Sequence, residues 1–370
     1  MADNIKKLIA EQFAEIADAI ESGSFGKKPV IGIAVSGTEL GMDNIEEGAA
    51  IAGKAGIKTV IIDGEDAHKK MEALLESGEI QGAVTMHYPF PIGVSTVGRV
   101  VTPGKGREMF IANTTGTSDT DRVCGMVKNT IQGIIAAKAC GIENPTVGIA
   151  NIDGARQTEM ALLKLKEGGY NINFKESSRA DGGVVMRGND LLEGTSDIMV
   201  MDALTGNLMM KIFSSYTTGG SYESMGYGYG PGIGDGYGKV IMIVSRASGA
   251  PVIANAVRYA AELIENGVTA IAEKEFEAAK AAGLETILEE IKASSGKDTP
   301  KEAIASPEKE PVPYGILGVE VMDLDDAKEL LWSKGIYAET GMGCTGPVVL
   351  VSDRNGVAAE EILRKSGFRA

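Results

Sequence analysis

Anion chemistry has its clearest candidate at Ser245-Arg246-Ala247-Ser248-Gly249. This segment follows the apolar run 239–244 and precedes a helical pattern that begins near Pro251. A helix N-terminus leaves backbone N–H groups unpaired and carries partial positive charge, so an anion is favoured there. Ser245 and Ser248 add hydroxyl donors, Gly249 offers its N–H, and Arg246 supplies a planar fork suited to phosphate oxygens. Pro251 fits a first helical turn. The same residues also fit an ordinary capped turn carrying a surface arginine. A second candidate is 202–211, DALTGNLMMK, again after an apolar strand. There Asn207 offers an amide donor and Lys211 a positive charge one helical turn later, although Asp202 and Asn207 also read as caps and Lys211 as a solvated residue. The loop Ser36-Gly37-Thr38 follows the first strand and makes Gly37 and Thr38 substrate-loop candidates, because open α/β sheets bind ligands at the carboxyl ends of their strands.

Thiol chemistry has one candidate with a suitable setting. Cys344 lies in TGMGCTGP (340–347), a small-residue turn before a strand, where glycines allow close approach of a ligand. A thiolate is both a nucleophile and an adequate leaving group, which is what a thioester intermediate requires. A small buried filler in a tight turn is the alternative. Cys124 shares a helical face with Val127, Ile131 and Ile134 and reads as a core thiol, and Cys140 precedes Gly141 at the expected end of that helix. Three dispersed cysteines without CxxC, and two histidines, His68 and His87, suggest neither a disulfide framework nor a metal site. His87 follows a strand and is a candidate binding or acid–base group.

These groups need a scaffold, and the apolar runs supply its outline. Runs 30–35, 57–62, 82–86, 146–152, 197–201 and 239–244 are hydrophobic on both faces and alternate with helical stretches. The pattern predicts an α/β fold, a Rossmann-like three-layer α/β/α arrangement with a mostly parallel sheet. Ile5, Leu8, Ile9, Phe13, Ile16 and Ile20 predict an amphipathic first helix. The main domain is expected over 1–293. A linker rich in Lys, Glu, Ser and Pro follows at 294–313, then a small Cys-bearing α/β unit at 314–370 with strands 315–321 and 347–351 and helices 324–332 and 357–365. The stretch 226–238, GYGYGPGIGDGYG, reads as a mobile surface loop, or alternatively as a lid or partner-binding loop.

Bulk properties exclude several function classes. The 370-residue chain is 44% hydrophobic and 24% charged, as folded globular proteins are. A net charge of −15 opposes binding to nucleic acid or anionic lipid. An anion must therefore be held locally, by backbone N–H groups and a few placed cations. The segment 2–20 is too charged for a secretory h-region and no apolar run of about 18 residues occurs, so a cytoplasmic protein is expected. No GxGxxG after an expected strand with a following acidic residue is found, which disfavours a dinucleotide-dependent dehydrogenase.

Together these segments resemble the PlsX family of phosphate acyltransferases, related to phosphate acetyltransferases. The first strand, loop and helix of that family are similar to 31–50, its "RVGLLNIG" strand to PTVGIANID (145–153), and its DGFxGNxxLK segment to DALTGNLMMK. The Ser-containing turn before its last major helix corresponds to 245–249. The terminal TGMGCTGPVVLVS is similar instead to the alpha subunits of glycine reductase component C. The resemblance implies a fold of the PlsX and isopropylmalate-dehydrogenase kind and acetyl transfer to inorganic phosphate as substrate, with no cofactor. It also implies a thioester on Cys344, formed from an acyl group supplied by selenoprotein component A, and a beta subunit as partner within a hetero- or homo-oligomer. Two rivals remain at this point: direct acyl-thioester:phosphate transfer without a covalent cysteine, and a non-catalytic scaffold.

Overall fold

Strands that are apolar at every position have to be covered on both faces, and this chain covers them with helices. The computed structural model describes residues 28–64, 66–178, 183–295, 304–319, 324–343, 346–366 and 368. The helix expected over 2–20 lies outside the described residues, and so does Cys344.

The described chain opens with β1 (Val30–Ala34), α1 (Met42–Lys54), β2 (Lys58–Ile62), α2 (Ala67–Ser77) and β3 (Gly82–Thr85). The two-residue strand β4 (Phe90–Pro91) precedes a long hairpin of β5 (Ser95–Val101) and β6 (Glu108–Gly116). Next come α3 (Arg122–Ala139), β7 (Thr146–Ala150), α4 (Ala155–Glu167), β8 (Asn173–Phe174), β9 (Val185–Met186) and α5 (Gly188–Glu193). They lead into β10 (Ile198–Val200), α6 (Ala203–Ser215), β11 (Gly230–Ile233) and β12 (Ile241–Ile243). Helices α7 (Ala250–Glu265), α8 (Val268–Ala281) and α9 (Leu284–Ser295) follow.

Among the described residues, eleven strands form one sheet in the order β2-β1-β3-β12-β11-β5-β6-β10-β7-β8, with β9 also paired to β7. Its two wings are parallel, and only the β12-β11-β5-β6 centre is antiparallel. The chain is thus a mixed α/β protein with a mostly parallel sheet, as its apolar runs predict. The strands feed a core on each face. Along and just past β12, Met242 and Val244 enter one core, whereas Ile241 and Ile243 enter the other. Ile198 and Val200 of β10 are likewise separated from Met199 and Met201. Such two-faced burial makes uniform hydrophobicity, rather than alternation, the strand signal.

The reading of 226–238 as a mobile surface loop is corrected. Part of it is β11, fully buried in the middle of the sheet, and Tyr229 beside it is buried as well. From Gly226 to Gly234 the glycines are there because neighbouring backbone and side chains occupy the space a Cβ needs. A Cβ on Gly230, whose φ is +90°, would lie 1.7 Å from the Val97 carbonyl oxygen. On Gly232 it would lie 2.3 Å from the Phe90 ring.

Residues 304–313 carry neither helix nor strand, and Glu310 accepts hydrogen bonds from Ser352 (2.9 Å) and Asn355 (3.1 Å). Beyond them lie β13 (Tyr314–Leu317), α10 (Leu324–Ser333), β14 (Ala338–Gly343), β15 (Gly346–Val351) and α11 (Gly356–Lys365). Ile316, Leu331, Val349 and Leu363 are among the residues of a third core. The expected turn before the last strand is largely the extra strand β14, so the unit is β-α-β-β-α. Its sheet runs β13-β15-β14-β4, and the last member belongs to the segment just after β3. Met342 pairs with Phe90 and Gly341 with Pro91.

Two glycines within five positions of β11 separate close approach from simple backbone strain. Gly236 has φ +69° but nothing within 4 Å of an added Cβ. Gly236→Ala should cost about 1–2 kcal/mol from the left-handed backbone alone, whereas Gly230→Ala should cost about 3 kcal/mol or more through overpacking. Urea denaturation midpoints of the two variants test this, and equal losses would contradict it.

Candidate active site

A cleft of about 520 Å³ opens where several strands end. Its walls come from the loop after β1 (Ser36, Gly37), the segment after β3 (His87, Tyr88), the end of β6 (Thr115, Gly116), α6 (Asn207, Lys211), Tyr229, the residues after β12 (Ser245, Arg246) and Met342 of β14. Carboxyl-terminal strand ends are where open α/β sheets hold ligands. Residues more than 200 positions apart in sequence therefore share one cavity.

Two cations face it, each beside a carboxylate. The Arg246 guanidinium lies 3.2 Å from Glu39, and the Arg246 carbonyl accepts from the Glu39 N–H at 2.9 Å. A Cβ on Gly37 would lie 3.3 Å from the Arg246 side chain, so this glycine, at φ +87°, lets the arginine stem pass. Lys211 Nζ lies 3.8 Å from Glu223 and 5.6 Å from the centre of the Tyr229 ring. Its helix is pressed onto β6, since a Cβ on Gly206 would fall 1.6 Å from the Asn113 carbonyl oxygen. Asn207 donates one amide hydrogen to the Thr114 carbonyl at 3.0 Å, leaving the second donor of its amide group. The expected pairing of Asn207 and Lys211 on one side of a ligand is thus consistent with the fold, as is Asp202 as the α6 cap, accepting from Thr205 N–H at 2.8 Å.

The turn at 245–249 differs from its expected role. Ser248 is buried; its hydroxyl donates to Glu223 at 2.9 Å and accepts from the Ser245 N–H at 3.0 Å. The Gly249 N–H is bound to the Glu223 carbonyl at 2.8 Å, and the Ala250 N–H to the Asn44 side chain at 2.7 Å. Pro251 has no N–H to give. The N-terminus of α7 is therefore saturated by the protein itself, and Ser248 and Gly249 do not line the cleft. Ser245 and Arg246 do. Thr38 is not among the lining residues; its hydroxyl accepts from the Leu40 N–H at 3.3 Å and shapes the loop.

His87 lines the cleft, and its buried Nδ1 has no hydrogen-bond partner among the described residues. Its ring meets His68 edge-on at 4.6 Å. Burial, and then the neighbouring His68, hold the His87 imidazole below its ordinary pKa. Burial foremost, with Asp121 and Asp119 next, pushes the Cys124 thiol up to about 12. Burial and then Glu262 push Cys140 up to about 12 as well, partly opposed by Arg99. Both are protonated packing thiols. Cys344 lies outside the described residues, but Met342, two positions earlier, lines the cleft. Sequence reasoning missed Glu223 and Tyr229. Neither has a local pattern, because the partners of Glu223 come from residues 211, 229 and 248.

The model of the family described as "Fatty acid synthesis protein" matches residues 25–350. A chain named glycine/sarcosine/betaine reductase complex component C subunit alpha, from Peptoclostridium acidaminophilum, is 58% identical over 99% of this chain and 100% of that one. The chain belongs to the family of these component C alpha subunits. As a component C alpha-family protein it is an acyltransferase. A phosphate acyltransferase of Lysinibacillus sphaericus is 33% identical over 33% of this chain and 34% of its own. A solved branched-chain phosphotransacylase from Enterococcus faecalis is 14% identical with a TM-score of 0.42, covering 64% of this chain and 99% of its own. Among the described residues of this component C alpha-family chain, no helix is long and apolar enough to cross a membrane.

Ser248 is a test of the revised turn. Ser248→Ala removes a donor from a buried carboxylate and an acceptor from a backbone N–H, and should lower stability by about 1–3 kcal/mol. Chemical denaturation measures this, and a variant as stable as the parent would restore Ser248 as a free ligand group.

Proposed function

We propose that the chain transfers an acetyl group to inorganic phosphate in this cleft, as the alpha subunit of a cytoplasmic glycine reductase-type component C. One observation carries the proposal: Lys211 and Arg246 face a single cavity of a strongly acidic chain. A cleft with two cations suits a phosphate dianion, and the exposed Glu39–Arg246 pair is weak enough to be exchanged for one. Ser245 and the second Asn207 N–H add neutral donors. A neutral His87 can hydrogen-bond a ligand oxygen without adding charge.

The thioester part of the proposal rests on Cys344. Met342, two positions before Cys344 in the sequence, is on the cleft wall, and this supports the assignment. In the reaction, a phosphate oxygen attacks the carbonyl carbon of the Cys344 acetyl thioester. The tetrahedral intermediate then collapses, the C–S bond breaks, acetyl phosphate forms and the thiolate is released. Positive charge near the developing oxyanion would lower the barrier. The Peptoclostridium acidaminophilum relative is a subunit of a reductase complex, which supports complex partners for this chain; the partners proposed are a beta subunit and selenoprotein component A, the acyl donor. Leu204, Leu208 and Ile212 form an exposed apolar stripe on α6, surface of the kind partners cover.

The test is acetyl phosphate formation in a reconstituted complex. Lys211→Met and Arg246→Gln should each raise the phosphate KM roughly tenfold or more, the scale of one hydrogen bond to a charged group. Unchanged KM values in both would refute the phosphate site. Intact-mass analysis after incubation with the acyl donor should show one added acetyl group, absent in Cys344→Ser, and that variant should be inactive. Full activity of Cys344→Ser would instead establish direct transfer.

A further inference from the structure

A carboxylate buried against the floor of a phosphate cleft would ordinarily oppose anion binding, and Glu223 is such a group. It is 3% exposed, and it belongs to neither the sequence pattern nor the cleft lining. Its Oε1 accepts from the Tyr229 hydroxyl at 2.8 Å and lies 3.8 Å from Lys211 Nζ. Its Oε2 accepts from the Ser248 hydroxyl at 2.9 Å, and Ser248 in turn holds the Ser245 N–H. The main chain repeats the connection. The Glu223 N–H donates to the Ala247 carbonyl at 3.0 Å and its carbonyl accepts from the Gly249 N–H at 2.8 Å. The next two N–H groups, of Ser224 and Met225, both donate to the Ser214 carbonyl of α6, at 2.8 and 3.1 Å.

We infer that Glu223 is a positioning residue that aims Lys211 into the cleft. The inference rests on the reading of the cleft as a phosphate site. Two hydroxyl donors and one ammonium surround the carboxylate, as a charge withdrawn from water requires. The Lys211 ammonium sits on a flexible four-carbon stem, and its side chain is half exposed. A fixed negative charge behind that ammonium confines it to the cleft mouth, while the 3.8 Å separation leaves the ammonium able to turn toward an arriving anion. Glu223 thus acts through Lys211 and does not touch the substrate.

A double-mutant cycle on the full chain, read by calorimetric titration with inorganic phosphate, tests this. Glu223→Gln should weaken phosphate binding roughly tenfold, the scale of one charge-assisted contact. In a Lys211→Met background the same change should alter affinity less than about twofold, because the route of action is gone. A purely architectural residue would lose the same factor in both backgrounds, and that result overturns the inference, as does unaltered affinity in Glu223→Gln. Should Glu223→Gln fail to fold, Glu223→Asp retains the charge but withdraws it from Lys211. It should weaken binding severalfold in the parent and leave the Lys211→Met background unchanged, with the same contrary outcome. If the parent chain and Lys211→Met bind phosphate equally, or neither binds, the phosphate reading itself falls and the inference falls with it. Parent binding that Lys211→Met weakens but Glu223→Gln or Glu223→Asp does not removes only the inference.

Discussion

The terminal unit is fixed against the cleft by a pairing of two backbone segments, Phe90-Pro91 with Gly341-Met342. Backbone pairing fixes position more firmly than side-chain contact, because register is set by hydrogen-bonding groups at every residue. Here it attaches a terminal sheet with its own core to the rim of a cleft in the main lobe. Phe90 is the anchor. Its ring is buried over Gly232 and meets Tyr88 edge-on at 5.0 Å and Tyr237 at 5.9 Å. Ile92, two residues on, packs against the terminal core. Gly232 of β11 leaves the space this ring fills, so the centre of the large sheet and the site of the terminal unit are parts of one packing arrangement.

Electrostatics follow from the same geometry. A chain with a net charge of −15 gains affinity for an anion only where cations are concentrated and nearby carboxylates are engaged. Arg246 has an exposed partner in Glu39, and Lys211 has a buried one in Glu223. Exposed pairs contribute little and exchange readily, whereas a buried carboxylate keeps its donors. In the proposed phosphate site, the arginine would change partner on ligand entry, whereas the lysine would be held in place beforehand. The α7 N-terminus contributes through its turn, since its N–H groups are already bonded to Glu223 and Asn44.

Much of the scaffold was legible because uniform hydrophobicity has a single structural meaning in a doubly covered sheet. Runs around β1, β3, β7, β10 and β12 fall within a few residues of the strands observed. Strands β11 and β14 were not legible, and for a shared reason. β11 is Gly-Pro-Gly-Ile, which has low strand propensity and is dictated by close contacts rather than by local preference. β14, with Thr, Gly and Met, was hidden in the same way. Of the site, Gly37, Asn207, Lys211, Ser245, Arg246 and His87 were visible as polar groups after apolar strands, and they do share a cleft. Ser248 and Gly249 were misjudged because sequence shows that a helix start has donors, but not that Asn44 and Glu223, from distant segments, already occupy them.

The central claim is that one cleft holds the phosphate between α6 and the turn after β12. A crystal structure of the chain soaked with inorganic phosphate tests it most directly. The account predicts a tetrahedral anion in contact with both Lys211 Nζ and the Arg246 guanidinium, with Glu39 displaced from the arginine. A phosphate bound at another place while this cleft holds only water would contradict it.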